Sequence, residues 1–173
     1  KILKKPQTVK AALIGFPTHE DGGNCVSEII ANGIVPAGME IMDKALIEAT
    51  DNFSKAGYPR DVELLLIVEL DGTVSEVDEL INKVSEISKK NNSSTIKISK
   101  NEKERLTFWI GRKAAFPACG AMAPDYYCMD GSIPRGKLAE ALKEINKLSK
   151  KYNLSVANCF HAGDGNLHPL IMF

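Results

Sequence analysis

The chain has 173 residues, 44% hydrophobic and 25% charged, enough for one globular domain to bury a substantial core without disulfides or a structural metal. Its 22 basic and 22 acidic residues cancel, so no long-range field draws it to nucleic acid or to an anionic membrane surface. Four widely spaced cysteines without a CxxC pair (Cys25, Cys119, Cys128, Cys159) fit reduced thiols in a cytoplasmic protein better than a secreted disulfide framework or a cysteine zinc site, so a cytoplasmic protein is expected.

The longest apolar run, Leu64 to Leu70, contains Glu69 and is far shorter than the ~20 residues of a membrane helix, so a transmembrane protein is not expected. The basic opening Lys1-Ile2-Leu3-Lys4-Lys5 leads into Pro6 without the apolar stretch of a signal peptide. There is no initiator Met, and the apolar Leu170-Ile171-Met172-Phe173 stops without a turn, so both ends read as cut from a longer chain.

In chain order, Val9 to Phe16 predicts a strand, and Asp21-Gly22-Gly23-Asn24 predicts a break before a short helix with Val26, Ile29 and Ile30 on one face. After Pro36, Met39 to Asp43 alternates, and Lys44 to Lys55 is polar and helix-like. Val62 to Leu70 is the strongest strand signal, central and covered on both faces. Thr73-Val74-Ser75-Glu76 has capping-box spacing, and a helical stripe runs from Val74 to Ile87. Thr95 to Ile98 alternates as an edge strand does.

Strand–helix–strand thus occurs twice, the ferredoxin-like split βαβ arrangement. A further helix starts at Asn101 and ends near Pro117, with Leu106, Trp109, Ile110 and Lys113 along one face and Arg105, Phe108 and Arg112 along another. Tyr126 to Ile133 alternates weakly, Pro134 opens a helix with the stripe Leu138, Ala141, Leu142, Ile145 and Leu148, and a last strand starts at Leu154. The expected fold is α+β: one domain over residues 1–173, an antiparallel sheet with helices packed on one face.

The segment that carries chemistry is His161-Ala162-Gly163-Asp164-Gly165-Asn166-Leu167-His168. Asp-Gly between two strand-like runs signals a two-residue type I′ hairpin turn. That turn sets His161 directly opposite His168, with Cβ atoms about 4.5–5.5 Å apart, close enough for both imidazoles to bind one cation. Two ligands are not a complete site; a third is not evident and is expected beyond Phe173. A phosphate-cradling nest at Gly163 to Asn166 is disfavoured, because no GKS or GKT helix follows. Trp109 reads as core, His19 as a solvated loop residue, Lys113 as a solvated charge, and Cys25, Cys119 and Cys159 as small buried hydrophobes.

His161 to Pro169, with Phe108-Trp109-Ile110-Gly111-Arg112-Lys113-Ala114-Ala115-Phe116-Pro117 and Tyr127-Cys128-Met129-Asp130-Gly131-Ser132-Ile133-Pro134, closely resembles the C-terminal domain of FAD-linked oxidases. The match is to glycolate oxidase FAD-binding subunits and their D-lactate dehydrogenase relatives, of the vanillyl-alcohol oxidase type. Gly33 to Asp43 and Glu69 to Gly72 extend the resemblance over nearly the whole chain.

The resemblance implies a flavin-dependent 2-hydroxy-acid dehydrogenase whose FAD is held by a domain outside this chain, this piece supplying the substrate side and being inactive alone. It makes Arg112 the arginine that holds the substrate carboxylate. It makes His161 and His168 two ligands of a divalent metal (zinc, iron or manganese), with an acidic ligand and a catalytic histidine in a downstream Glu-His motif. Phe116 and Cys128 stand where relatives acting on 2-hydroxyglutarate-type substrates have threonine and lysine, which argues against a dicarboxylate.

The partners implied are a small 2-hydroxy acid, the protein's own FAD-binding domain and electron-accepting subunits. Two other readings stay open: a free-standing ferredoxin-like module that binds a small ligand or metal, and an assembly domain whose sheet packs on a partner.

Overall fold

The computed structural model describes residues 5–173, and the basic segment Lys1–Lys4 lies outside them. Eight strands form one antiparallel sheet: β1 (Thr8–Phe16), β2 (Gly38–Asp43), β3 (Leu64–Gly72), β4 (Thr95–Ile98), β5 (Tyr126–Cys128), β6 (Gly131–Ser132), β7 (Ser155–His161) and β8 (Asn166–Met172). The order is β4-β1-β3-β2-β7-β8-β5, with β6 also on β8. The first four positions are the ferredoxin-like order, and β7, β8 and β5 extend that sheet beyond β2.

As expected, β3 is interior, paired with β1 and β2, and β4 is an edge. The predicted Tyr126 to Ile133 strand is interrupted at Met129 and Asp130 and becomes β5 and β6.

Among the described residues six α-helices cover the sheet: α1 (His19–Ala31), α2 (Lys44–Ser54), α3 (Val74–Lys90), α4 (Glu102–Lys113), α5 (Ala115–Gly120) and α6 (Leu138–Tyr152). The Thr73–Glu76 capping box is formed at the start of α3. One core joins α1, α3 and α6 to the sheet face carrying Ile14, Leu66, Val68 and Phe160. A second core joins α2, α4 and α5 to the opposite face, with Leu13, Leu65, Ile67 and Cys159.

The expectation of helices on one face therefore holds for α3 and α6 but not for the whole domain. The physical reason is the near-continuous apolar run of β3: Leu64, Leu66 and Val68 point one way, Leu65 and Ile67 the other, all fully buried, so both faces need cover.

Two local expectations are corrected. Gly22 and Gly23 do not break the chain but lie inside α1. A Cβ at Gly22 falls 2.4 Å from Leu64 and one at Gly23 falls 2.7 Å from Ala139, so these glycines let α1 sit close on β3 and α6. Pro117 does not end the long helix. After α4 stops at Lys113, Pro117 occupies the first turn of α5, where its missing N–H leaves no helical bond unmade.

Candidate functional site

The site builds on the hairpin of β7 and β8. The register pairs His161 with Asn166 and Cys159 with His168, so the connection is the four residues Ala162–Gly165 and not a two-residue turn. Type I′ needs positive φ at both central residues, and in this turn only Gly165 has it, at +77°. Gly165 is also pressed on Ile133, the residue after β6: a Cβ there falls 2.2 Å from Ile133 O, and Ile133 N–H donates to Gly165 O at 3.0 Å. Because the slip from the expected register is two residues, the alternation of faces is preserved. His161 and His168 share one face as diagonal neighbours, their ring centroids 5.1 Å apart and the rings perpendicular.

Two strands and a helix bring carboxylates and an arginine to this pair. Across β2 and β7, Glu40 stands directly opposite His161, and its Oε1 accepts from His161 Nδ1 at 2.8 Å. The other oxygen, Oε2, accepts from Arg112 Nε at 3.1 Å and Nη2 at 2.8 Å. The Glu40 and Arg112 side chains are only 13% and 11% exposed, so this ion pair is largely desolvated. His168 Nδ1 approaches Asp130 Oδ1 at 3.8 Å, but Asp130 is 72% exposed and its attraction is screened.

Arg112 owes its position to the seating of α4. Asn101 caps the helix by accepting from Glu104 N–H at 3.0 Å. On the sheet, Glu69 Oε2 accepts from Arg105 Nη1 at 2.5 Å and from Trp109 Nε1 at 2.6 Å. Beneath the C-terminal half, Tyr58 O–H donates to Phe108 O at 2.5 Å and accepts from Arg112 N–H at 3.2 Å. Burial pushes the Tyr58 phenol up to about 12, so it is a permanent donor here. A Cβ on Gly111 falls 2.3 Å from the Tyr58 ring, which is why a glycine stands where α4 touches it.

Arg112, His161 and His168 are therefore brought together, whereas the reading of the sequence missed Glu40, Glu69 and Tyr58. An acid within an alternating strand that proves interior must be paired, and that signal marks Glu40 once β2 is known to lie between β3 and β7. Of the two further positions singled out by the resemblance, Phe116 leans on Tyr126 with ring centroids 6.3 Å apart, and Cys128 is half-buried in β5.

Trp109 is half-buried against the second core, as expected, while Leu106 and Ile110 are exposed. His19 is not a loop residue: it opens α1, its Nδ1 lies 3.3 Å from Asn146 Nδ2, and its buried Nε2 has no partner among the described residues.

An open cleft of about 410 Å³ reaches one side of the site at Glu40 and His161, with Pro36, Gly38, Arg135 and Gly163 also in its lining but not Arg112 or His168. A larger one, about 700 Å³, lies between α1 and α6 and contains none of Arg112, His161 or His168. The chemistry favours the smaller cleft, since size alone does not polarise a substrate.

Among the described residues no three His, Cys, Asp or Glu side chains converge to hold a metal. His161 and His168 fit two positions of such a site and leave the rest to be supplied. The Ala162–Gly165 turn does not form a phosphate nest, because the Gly163 N–H donates to Met39 O and the Asp164 and Gly165 N–H groups donate to His161 O. No described helix is long and apolar enough to cross a membrane.

Residues 5–173 match the family model of FAD linked oxidases, C-terminal domain. The chain is 50% identical over its full length to glycolate oxidase subunit GlcD of Escherichia coli K12, covering 35% of that protein. It is 31% identical to the Bacillus subtilis GlcD subunit over 98% of the chain and 36% of the relative. It is 30% identical to the mitochondrial D-lactate dehydrogenase [cytochrome] of Arabidopsis thaliana over 100% of the chain and 30% of the relative.

The chain thus spans about a third of the length of these relatives. In structure it resembles alkyldihydroxyacetonephosphate synthase with a TM-score of 0.69 at 14% identity, covering 99% of this chain and 37% of that one. It also resembles p-cresol methylhydroxylase, at 0.64 and 13%, covering 99% and 40%. The ferredoxin-like sheet, its β7–β8 extension and the family match over residues 5–173 agree, and the chain belongs to the C-terminal domain family of FAD-linked oxidases.

Proposed function

We propose that this chain is the substrate-side domain of a flavin-dependent dehydrogenase that oxidises a small 2-hydroxy acid, glycolate or D-lactate, to the 2-oxo acid. The observation that carries the reading is Glu40, shared between the guanidinium of Arg112 and the imidazole of His161, with the His168 ring edge-on to His161 at 5.1 Å. A carboxylate clamp and two metal-ligand positions meet in one place. The names of the relatives, glycolate oxidase subunit and D-lactate dehydrogenase, point to the same substrate class.

In this reading Arg112 orients the substrate by its carboxylate, offering planar N–H groups to two oxygens. His161 and His168 hold a divalent metal together with a ligand from outside this chain. When bound, such a metal would lower the pKa of the substrate hydroxyl; the hydroxyl proton would go to a base supplied from outside this chain, and the hydride would go to the flavin of the neighbouring domain. By the resemblance, Phe116 and Cys128 replace the threonine and lysine of relatives acting on 2-hydroxyglutarate-type substrates, and this departure supports a monocarboxylate reading.

Four free thiols with no disulfide among the described residues support the cytoplasm as the proposed compartment. The electron-accepting partner is proposed to be a further subunit.

The test is purification of the complete protein, measurement of its flavin and metal content, and anaerobic mixing with glycolate, D-lactate and D-2-hydroxyglutarate. Bleaching of the flavin by the first two, with kcat/KM at least about tenfold above the dicarboxylate, supports the proposal. A flavoprotein that none of the three reduces contradicts it.

A further inference from the structure

We infer that Glu40 is a positioning residue that presets two groups at once: it fixes which nitrogen His161 offers and which edge Arg112 offers. The inference rests on the reading of His161 as a ligand and Arg112 as the clamp. It adds a residue that acts through His161 and Arg112.

A neutral imidazole has one donor and one acceptor nitrogen. Glu40 Oε1 lies 2.8 Å from His161 Nδ1, and an ionised carboxylate can only accept, so the proton is held on Nδ1 and the lone pair is left on Nε2. The carboxylate is anchored independently of the histidine: its Oε2 accepts from Arg112, and its strand is interior, with Glu40 paired to Ile67 on one side and His161 on the other. With only 13% of its side chain exposed, Glu40 has little solvent to compete for either partner.

The same bonds orient Arg112. Both contacts use the side edge of the guanidinium, Nε and Nη2. The end edge, Nη1 with the second hydrogen of Nη2, is left for a planar carboxylate. One buried acid therefore sets the angle between the ligand lone pair and the clamp, and hence the relation between the hydroxyl and carboxylate of a bound 2-hydroxy acid.

Asp130 is the internal control. It approaches His168 Nδ1 at 3.8 Å but is 72% exposed, so its hold on that ring is weak. The two carboxylate–histidine contacts differ in burial and should differ in consequence.

The experiment uses the complete protein, stripped of metal and labelled with 15N-histidine, in wild-type, Glu40→Gln, Asp130→Asn and His161→Ala forms. Long-range 1H–15N spectra assign the His161 tautomer, and zinc affinity is measured by competition with a chromophoric chelator. Wild-type His161 is expected with its proton on Nδ1. In Glu40→Gln the tautomers should mix, zinc affinity should fall about 10–100-fold, and KM for the hydroxy acid should rise about tenfold. Asp130→Asn should change zinc affinity less than about threefold by the same comparison of an exposed partner with a buried one.

A wild-type His161 protonated on Nε2 overturns the inference, and so does a Glu40→Gln spectrum and zinc affinity matching wild type. His161→Ala judges the underlying reading separately: full zinc affinity there removes His161 as a ligand, and the tautomer in the metal-free protein alone then decides the role of Glu40.

Discussion

His168 stands across the β7–β8 ladder from Cys159, not from His161, yet the two imidazoles meet with centroids 5.1 Å apart. Diagonal cross-strand neighbours are separated by about 7–8 Å at the backbone, and only side chains as long as an imidazole close that gap. The contact depends on both rings leaning toward the same point, so the pair should behave as a unit. Replacing His161 or His168 by Ala in the complete protein should each remove most bound divalent metal and most turnover, and the double substitution should cost little more than either alone. Metal analysis and steady-state kinetics on the three variants check this; full occupancy in either single variant removes that histidine from the site.

Arg112→Lys keeps the charge beside Glu40 but loses the fork that meets a carboxylate with two parallel bonds. Losing one charge-assisted hydrogen bond costs about 1.5–3 kcal/mol, so kcat/KM for the hydroxy acid should fall about 10–150-fold. Unfolding should shift far less, since Lys still pairs with the buried acid. Kinetics and thermal melting of the same preparation separate the two effects.

Gly111→Ala puts a methyl into the Tyr58 ring, against an approach of 2.3 Å that neither the helix backbone nor a buried phenol can yield cheaply. Overpacking of this kind costs about 1–3 kcal/mol. Because Tyr58 also accepts from Arg112 N–H, the end of α4 should move with it. A urea titration should show the destabilisation, and a rise in KM should accompany it; a variant as stable and active as wild type contradicts the packing argument.

Asp51 holds the segment that carries Tyr58. Its Oδ1 accepts from Gly57 N–H at 2.7 Å and Tyr58 N–H at 3.1 Å, and its Oδ2 accepts from Arg60 Nε at 3.0 Å and Nη2 at 2.7 Å. Burial alone opposes ionisation, but the Arg60 guanidinium and the two backbone donors together outweigh it and hold the carboxyl below the usual range. An acid lowered on folding contributes stability that is fully present above its unfolded value of about 3.9 and is lost as pH falls through its lower folded value. Asp51→Asn should therefore cost about 2 kcal/mol at neutral pH. The gap from wild type should narrow on acidification below about pH 4, where the wild-type carboxyl also takes up a proton. Urea midpoints across that pH range test both the size and the sign.

Local chemistry determined much of this protein before any contact was known. The capping box at Thr73 and Glu76, the 3.6-residue stripe of α3 and the apolar run of β3 each act within a few residues, so strand, helix and interior position were all legible there. The two histidines were legible as a same-face pair because a register slip of two residues leaves faces unchanged. The resemblance to FAD-linked oxidases was carried by contiguous motifs around Arg112, Cys128 and His161, which survive without knowledge of the fold.

Tertiary structure alone decided the rest. Gly22 and Gly23 read as a break because glycine disfavours helices locally, and only the approach of Leu64 and Ala139 shows why α1 contains them. The turn read as two residues because Asp-Gly favours that form, and in the structure it is four residues that pack on Ile133, just after β6. Glu40 was invisible as a site residue because its partners lie 72 and 121 residues away, and nothing in the sequence near it announces them. An acid acquires that role only when the sheet buries it between an arginine and a histidine, where an unpaired charge costs too much to leave uncompensated.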